Sequence, residues 1–300
     1  MSEAQFREPD LRLGLIILGV VAAGFLGLFL FGPSKDTGRT AQDLGATVPG
    51  LLDRLSDGPS RAAATALQAA APVDFGRLDF EAKRAIADGA DEADLSSLLL
   101  EALFAQFRSQ AVAIKIADSA DYQTIMAGLA TGLRTLKASD SEWCEGPQIA
   151  AFLTQNDEEL VTSLLAEFPY GSPQYEWAMS WMASVLTIAD SARGAPKRWS
   201  RPNFRDEAIL QEQGLALGSE QWALALQVAA FANSEGVSYA RMQEVIGGMD
   251  VCQLGIAVES VSARLPDDVR GRIWSDLMPD VMIGNTPYVM WRITDYFFIG

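Results

Sequence analysis

Hydrophobic residues open the chain in one block and then recur at helical spacing along most of its length. Residues 13–32, LGLIILGVVAAGFLGLFLFG, form a run of 20 without a charge, closed by Pro33. At about 1.5 Å per residue, a helix of that length matches the roughly 30 Å hydrocarbon core of a bilayer. Every backbone group in lipid must be bonded within the segment, so the pattern predicts a transmembrane helix over 13–32, preceded by a short tail, 1–12. A signal h-region runs to about 7–15 apolar residues after a basic start and ends in a small-x-small cleavage site. Here the run is longer, and the tail carries Glu3, Glu8 and Asp10 beside Arg7 and Arg12. Gly32-Pro33-Ser34-Lys35 is a poor cleavage context, so a retained anchor is the better reading.

Residues 33–60, rich in Gly, Pro, Asp, Ser and Thr, read as a tether with a short helix around Ala41–Leu55. Beyond it, Leu95, Leu98, Leu99, Ala102, Leu103 and Phe107 make one apolar stripe of an amphipathic helix. Ile125, Leu129, Leu133 and Leu136 repeat that spacing after Asp121. Ser172-Pro173 is a helix start, with Trp177, Trp181, Val185 and Ile188 as the buried face behind it. Further helices are predicted over 149–167, 204–217, 219–233, 237–247, 252–264, 266–278 and 287–298. Strand alternation is almost nowhere, and no repeat of solenoid length recurs. The expected fold class is all-α: one transmembrane helix followed by a non-repetitive multi-helix body. Two prolines and a glycine in RGAPKRWSRPNFR, residues 193–205, divide a first helical group, 61–192, from a second, 206–300.

Charge sharpens that boundary. The chain carries −16, of which −15 lies on residues 33–300, a balance that repels nucleic acid. Within 193–205 the sign reverses: Arg193, Lys197, Arg198, Arg201 and Arg205 stand without an acid, interleaved with Trp199 and Phe204. Such a segment can dock an acidic partner, a lipid phosphate or a glycan polymer, with the rings supplying contact area. The plainer alternative is a solvated loop whose cations pair with the protein's own acids. Gly19, Ala23 and Gly27 form a small-xxx-small face in the anchor, which would admit a second membrane helix or a second copy. The apolar C-terminus, 286–300, reads as a final helix closing the core or as a segment for a partner's groove.

Histidine is absent, which removes Ser-His-Asp and Cys-His nucleophiles, HExxH zinc sites and His-ligated haem or copper. No lysine has a serine three residues before it, and no GxSxG, GxGxxG or phosphate-loop motif occurs. No cofactor or metal is expected. The acidic clusters Asp88/Asp91/Glu92/Asp94 and Asp157/Glu158/Glu159 lack calcium-loop spacing and read as solvated helix starts. Glu259-Ser260 in AVESVSARL resembles the Glu-Ser pair of helical lytic transglycosylases, whose glutamate is a general acid. The resemblance covers those two residues, and the glycine-rich stretch of that family does not follow.

Cys144 and Cys252 are a disulfide candidate if the body lies outside the cytoplasm; otherwise they are two separate buried thiols. Arg7 and Arg12 before the span balance Lys35 and Arg39 after it, and the terminal amine tips the count toward a cytoplasmic tail. In a bacterium that places the anchor in the inner membrane and the body in the periplasm. The expected function is a membrane-anchored interaction protein, an accessory or scaffold subunit of an envelope complex with a protein partner at the membrane. The alternatives are a carboxylate-dependent hydrolase or lyase of glycans such as peptidoglycan, and a ligand-binding sensor body that needs a signalling partner.

Overall fold

A computed structural model describes residues 48–146, 168–218 and 248–283, with the isolated positions 166, 220, 223 and 292. The body is all-helical and non-repetitive. Its helices are α1 (Leu51–Arg54), α2 (Pro59–Ala70), α3 (Pro72–Ala87), α4 (Glu92–Ser109), α5 (Ala111–Ile114) and α6 (Ser119–Ala138). After a 3-10 turn at Glu142–Cys144 come α7 (Pro173–Gly194), α8 (Phe204–Ala216), α9 (Val251–Arg264) and α10 (Asp267–Ile283). Among the described residues the β pairing is one isolated bridge, Glu145 to Asp250. The transmembrane span and most of the tether lie outside the described residues, as do the helices expected over 219–233, 237–247 and 287–298 and most of 149–167. Among the described residues, no helix is long and apolar enough to cross a membrane.

Helix starts follow local chemistry. Pro59, Pro72 and Pro173 occupy first turns, where a missing N–H costs nothing. Ser172 accepts from the Tyr175 amide at 3.1 Å, and Asp250 from that of Gln253 at 2.8 Å. Asp118 and Asn203 each close a reciprocal cap with the aspartate three residues on, Asp121 and Asp206. The expected stop at 278 is passed: α10 runs through Pro279 to Ile283. Its buried face, including Leu277, Met278 and Met282, continues past the proline, and packing of that face outweighs the one backbone bond that proline deletes.

Long-range hydrogen bonds fix helix directions. Ser60 and Tyr175 share a hydroxyl bond of 2.8 Å near the starts of α2 and α7, while Arg193 reaches the Ala70 carbonyl near both ends, so these helices run parallel. Helix α6 runs against α7: the Trp177 and Trp181 indoles donate to Gly128 and Ile125 at 2.7 and 3.0 Å. Helix α9 runs against α6, from Lys137–Asp250 at one end to Gln123–Ser262 toward the other. The tryptophans lie against glycines; a Cβ on Gly128 would stand 2.6 Å from the Trp181 ring, and one on Gly132 would overlap that of Trp177. One hydrophobic core joins residues before and after 193–205, from Leu51 to Met282. Across it, buried Arg270 of α10 donates to the Ser119 hydroxyl at 3.0 Å.

The bundle therefore has two distinct ends. At one lie the starts of α2, α4 and α7 and the α3–α4 turn. At the other lie the α2–α3 turn, α5, the start of α6 and the end of α7.

Candidate functional site

The basic segment leaves the end of α7 and is strapped across neighbouring elements. The Lys197 amide donates to Ile116 at 2.8 Å, and the Trp199 indole to Ala117 at 2.9 Å. The Trp199 ring stands on Gly271 of α10, where any Cβ would overlap it. Arg193 bonds Gln110 and the Ala70 carbonyl and faces Asp190 at 4.0 Å. Lys197 faces Asp118 at 3.3 Å. Burial pushes the Asp118 carboxyl up, but the Lys197 ammonium and the Ala120 amide bring it to a net value below the ordinary one. Three of the seven expected docking residues, Arg193, Lys197 and Trp199, thus hold the segment in place.

The other four face outward. Arg198, Arg201 and Arg205 are exposed, and none of them has an ion pair to another described residue. Phe204 is 84% exposed, an unusual position for a phenylalanine ring. It is the first residue of α8, whose start is closed by a reciprocal cap. Asn203 accepts from the Arg205 amide at 3.0 Å, and Asp206, 1% exposed, receives two hydrogen bonds from Arg272 of α10 at 2.7 and 2.8 Å. Asp206 and then Asp268 hold the Arg272 guanidinium above its already high value. Phe204 and Arg205 are therefore presented on a capped and cross-linked helix start, with Arg198 and Arg201 exposed in the segment that leads to it.

Toward the opposite end of the bundle, the acidic cluster expected as a solvated helix start also borders a groove, which its sequence does not show. An open groove of about 500 Å³ runs along the α3–α4 turn, lined by Asp88, Asp94 and Glu101 over an apolar floor of Ala85, Ala90 and Leu98. Asp91 caps α4, accepting from Ala93 and Asp94 at 2.9 and 3.0 Å. Glu92 accepts from the Ser56 amide and hydroxyl at 2.7 and 2.8 Å, bonds that hold it below its ordinary value. Asp88, Asp94 and Glu101 face no cation within 4.0 Å among the described residues. Desolvation, and secondarily the charge of Glu81, raises the Glu101 carboxyl above its ordinary value. The four acids at 88–94 resemble any helix start in sequence; only the turn at Gly89, φ 97°, brings α3 and α4 together around a groove.

Other expected residues have structural partners. Glu259 accepts from Gln123 at 3.0 Å and faces Arg134 at 3.6 Å, tying α9 to α6, while Ser260 bonds its own helix at Ile256. Cys144 and Cys252 form a disulfide between the 3-10 turn and α9. The Asp250 carboxylate lies beside them, but both sulfurs are bonded to each other, which leaves no thiolate for a metal. Lys137 reaches that carboxylate at 2.6 Å. Gly19, Ala23, Gly27 and Asp157/Glu158/Glu159 lie outside the described residues. So does most of 286–300, of which Arg292 pairs with Asp276 at 2.9 Å. No family model matches the chain, and no curated protein or solved structure is significantly similar to it.

Proposed function

We propose that this chain is a single-pass, membrane-anchored helical interaction protein, an accessory or scaffold subunit of a cell-envelope complex. The observation that carries the reading is the exposed quartet Arg198, Arg201, Phe204 and Arg205, a cationic and aromatic face on a chain of −16. An exposed aromatic residue with arginines close by in the sequence has the composition of an interface anchor. Trp199 packed on Gly271 and the Asp206–Arg272 pair hold the backbone on either side of this segment, which lowers the backbone ordering that docking requires. The uncharged run at 13–32 supplies the tether, and Gly19, Ala23 and Gly27 a packing face within it. The Cys144–Cys252 disulfide favours an oxidising compartment for the body, hence the periplasmic side of a bacterial inner membrane.

The test is purification of the full chain from native membranes in mild detergent, beside the variant R198A/R201A/F204A. Those three side chains make no described internal contact, so the variant should keep the wild-type melting temperature and lose its partner. Recovery of the wild type as a lone monomer, or retention of the partner by the variant, sinks the reading.

A further inference from the structure

Charges without an ion pair differ in sign between the basic segment at one end of the bundle and the α3–α4 groove toward the other. At the α7 C-terminal end the acids are engaged: Asp74 with Arg77, Asp118 with Lys197, Asp190 with Arg193, Asp267 with Arg270, and Asp206 and Asp268 with Arg272. Arg198, Arg201 and Arg205 are exposed there without an ion pair to a described residue, in the same segment as Phe204. Toward the other end Asp88, Asp94 and Glu101 make no ion pair among the described residues; they line an apolar-floored groove that starts at the α3–α4 turn and reaches Glu101, midway along α4. Helix α7, 22 residues long, sets these ends about 33 Å apart. The two features therefore cannot satisfy each other within one chain.

We propose that this chain binds a second copy of itself head to tail, Phe204 of one copy entering the groove of the next while Arg201 and Arg205 face Asp88 and Glu101. The inference rests on reading the quartet as a docking face, and it names the occupant. Three grounds support a second copy. The charges are complementary in sign and similar in number. A knob meets a hollow: the groove of about 500 Å³ has room for an aromatic ring and part of a guanidinium, and Ala85, Ala90 and Leu98 offer the ring an apolar floor. The raised Glu101 carboxyl marks a charge that an incoming cation would relieve. Because donor and acceptor surfaces lie at opposite ends, the contact is heterologous and extends into a chain of copies instead of closing a two-fold dimer. Confinement of anchored copies to one membrane would raise their effective concentration.

Charge exchange in the full-length protein in detergent tests this. R201E/R205E alters only the knob and D88K/E101K only the groove; none of these four side chains has a described hydrogen bond within the chain. Sedimentation of the wild type should show association that grows with concentration and weakens with salt. Each variant alone should associate at least about tenfold more weakly. Mixing the two variants should restore association, since the native knob meets the native groove at one junction and reversed charges meet at the next. Variants that associate like the wild type, or a wild type that stays monomeric at about 100 μM, a concentration at which even a weak interface would be populated, overturn the proposal. The alanine variant then separates the two readings. If it still loses a different membrane partner, the docking face stands and its occupant is another protein; if it loses nothing, both readings fall.

Discussion

Single residues show where side-chain identity is set by the neighbouring helix. Gly132 lies in α6 at the one point where the Trp177 ring must pass, so Gly132→Ala forces the ring or the helix to move. We expect a loss of about 1–3 kcal/mol, read as a lower denaturant midpoint at unchanged slope. Gly76 is the control: a helical glycine with nothing near its missing Cβ, where alanine should stabilise by about 0.5–1 kcal/mol. Glu101 has the opposite logic. Its folded carboxyl is raised, so the folded state holds a proton that the unfolded state releases, and stability falls as pH rises through the carboxylate range. Glu101→Gln should therefore raise the melting temperature at pH 7. The gain should vanish below about pH 3, where both states are protonated. The measurement is thermal unfolding at a dilution that keeps the chain monomeric. A groove that retains a destabilising charge is consistent with a surface kept for binding.

At the scale of elements, caps and cross-helix pairs decide where the exposed face points. Asp206 does two jobs, closing the Asn203 cap of α8 and receiving Arg272 of α10. Asp206→Asn removes a buried charge partner while leaving Arg272 only the exposed Asp268. The expected cost is about 3 kcal/mol, near the lower bound for breaking a buried pair. The variant should also weaken docking through Phe204 without touching that residue, which binding assays at a temperature below its melting point would detect. The amphipathic stripes of α4, α6 and α7 were legible in sequence because a 3.6-residue period must face a core somewhere. The role of Trp199 was not legible. A tryptophan among arginines has the composition of a docking ring, and only Gly271, 72 positions away, converts it into an internal wedge.

For the whole molecule, the disulfide links the first long run of helices to the late pair α9 and α10 across 108 residues. In the chain-entropy model, a closed loop of that size stabilises by about 4–5 kcal/mol. Cys144→Ser/Cys252→Ser should lose most of that amount, measured by denaturant unfolding against the oxidised wild type. Reductant should bring the wild type down to the variant's value and leave the variant unmoved.

Sequence alone determined the period of the helices, the uncharged span, the two cysteines and the local reversal of charge at 193–205. These are properties of spacing and composition, and they need no knowledge of what lies across the core. Tertiary structure decided which cations of that segment remain outside, which acids are neutralised, and that Asp88 and Asp94 lie at the end of the bundle away from the basic segment. The physical reason is that pairing and burial depend on distances through space. Asp118 and Lys197, or Asp206 and Arg272, become partners only after helices far apart in the chain have packed.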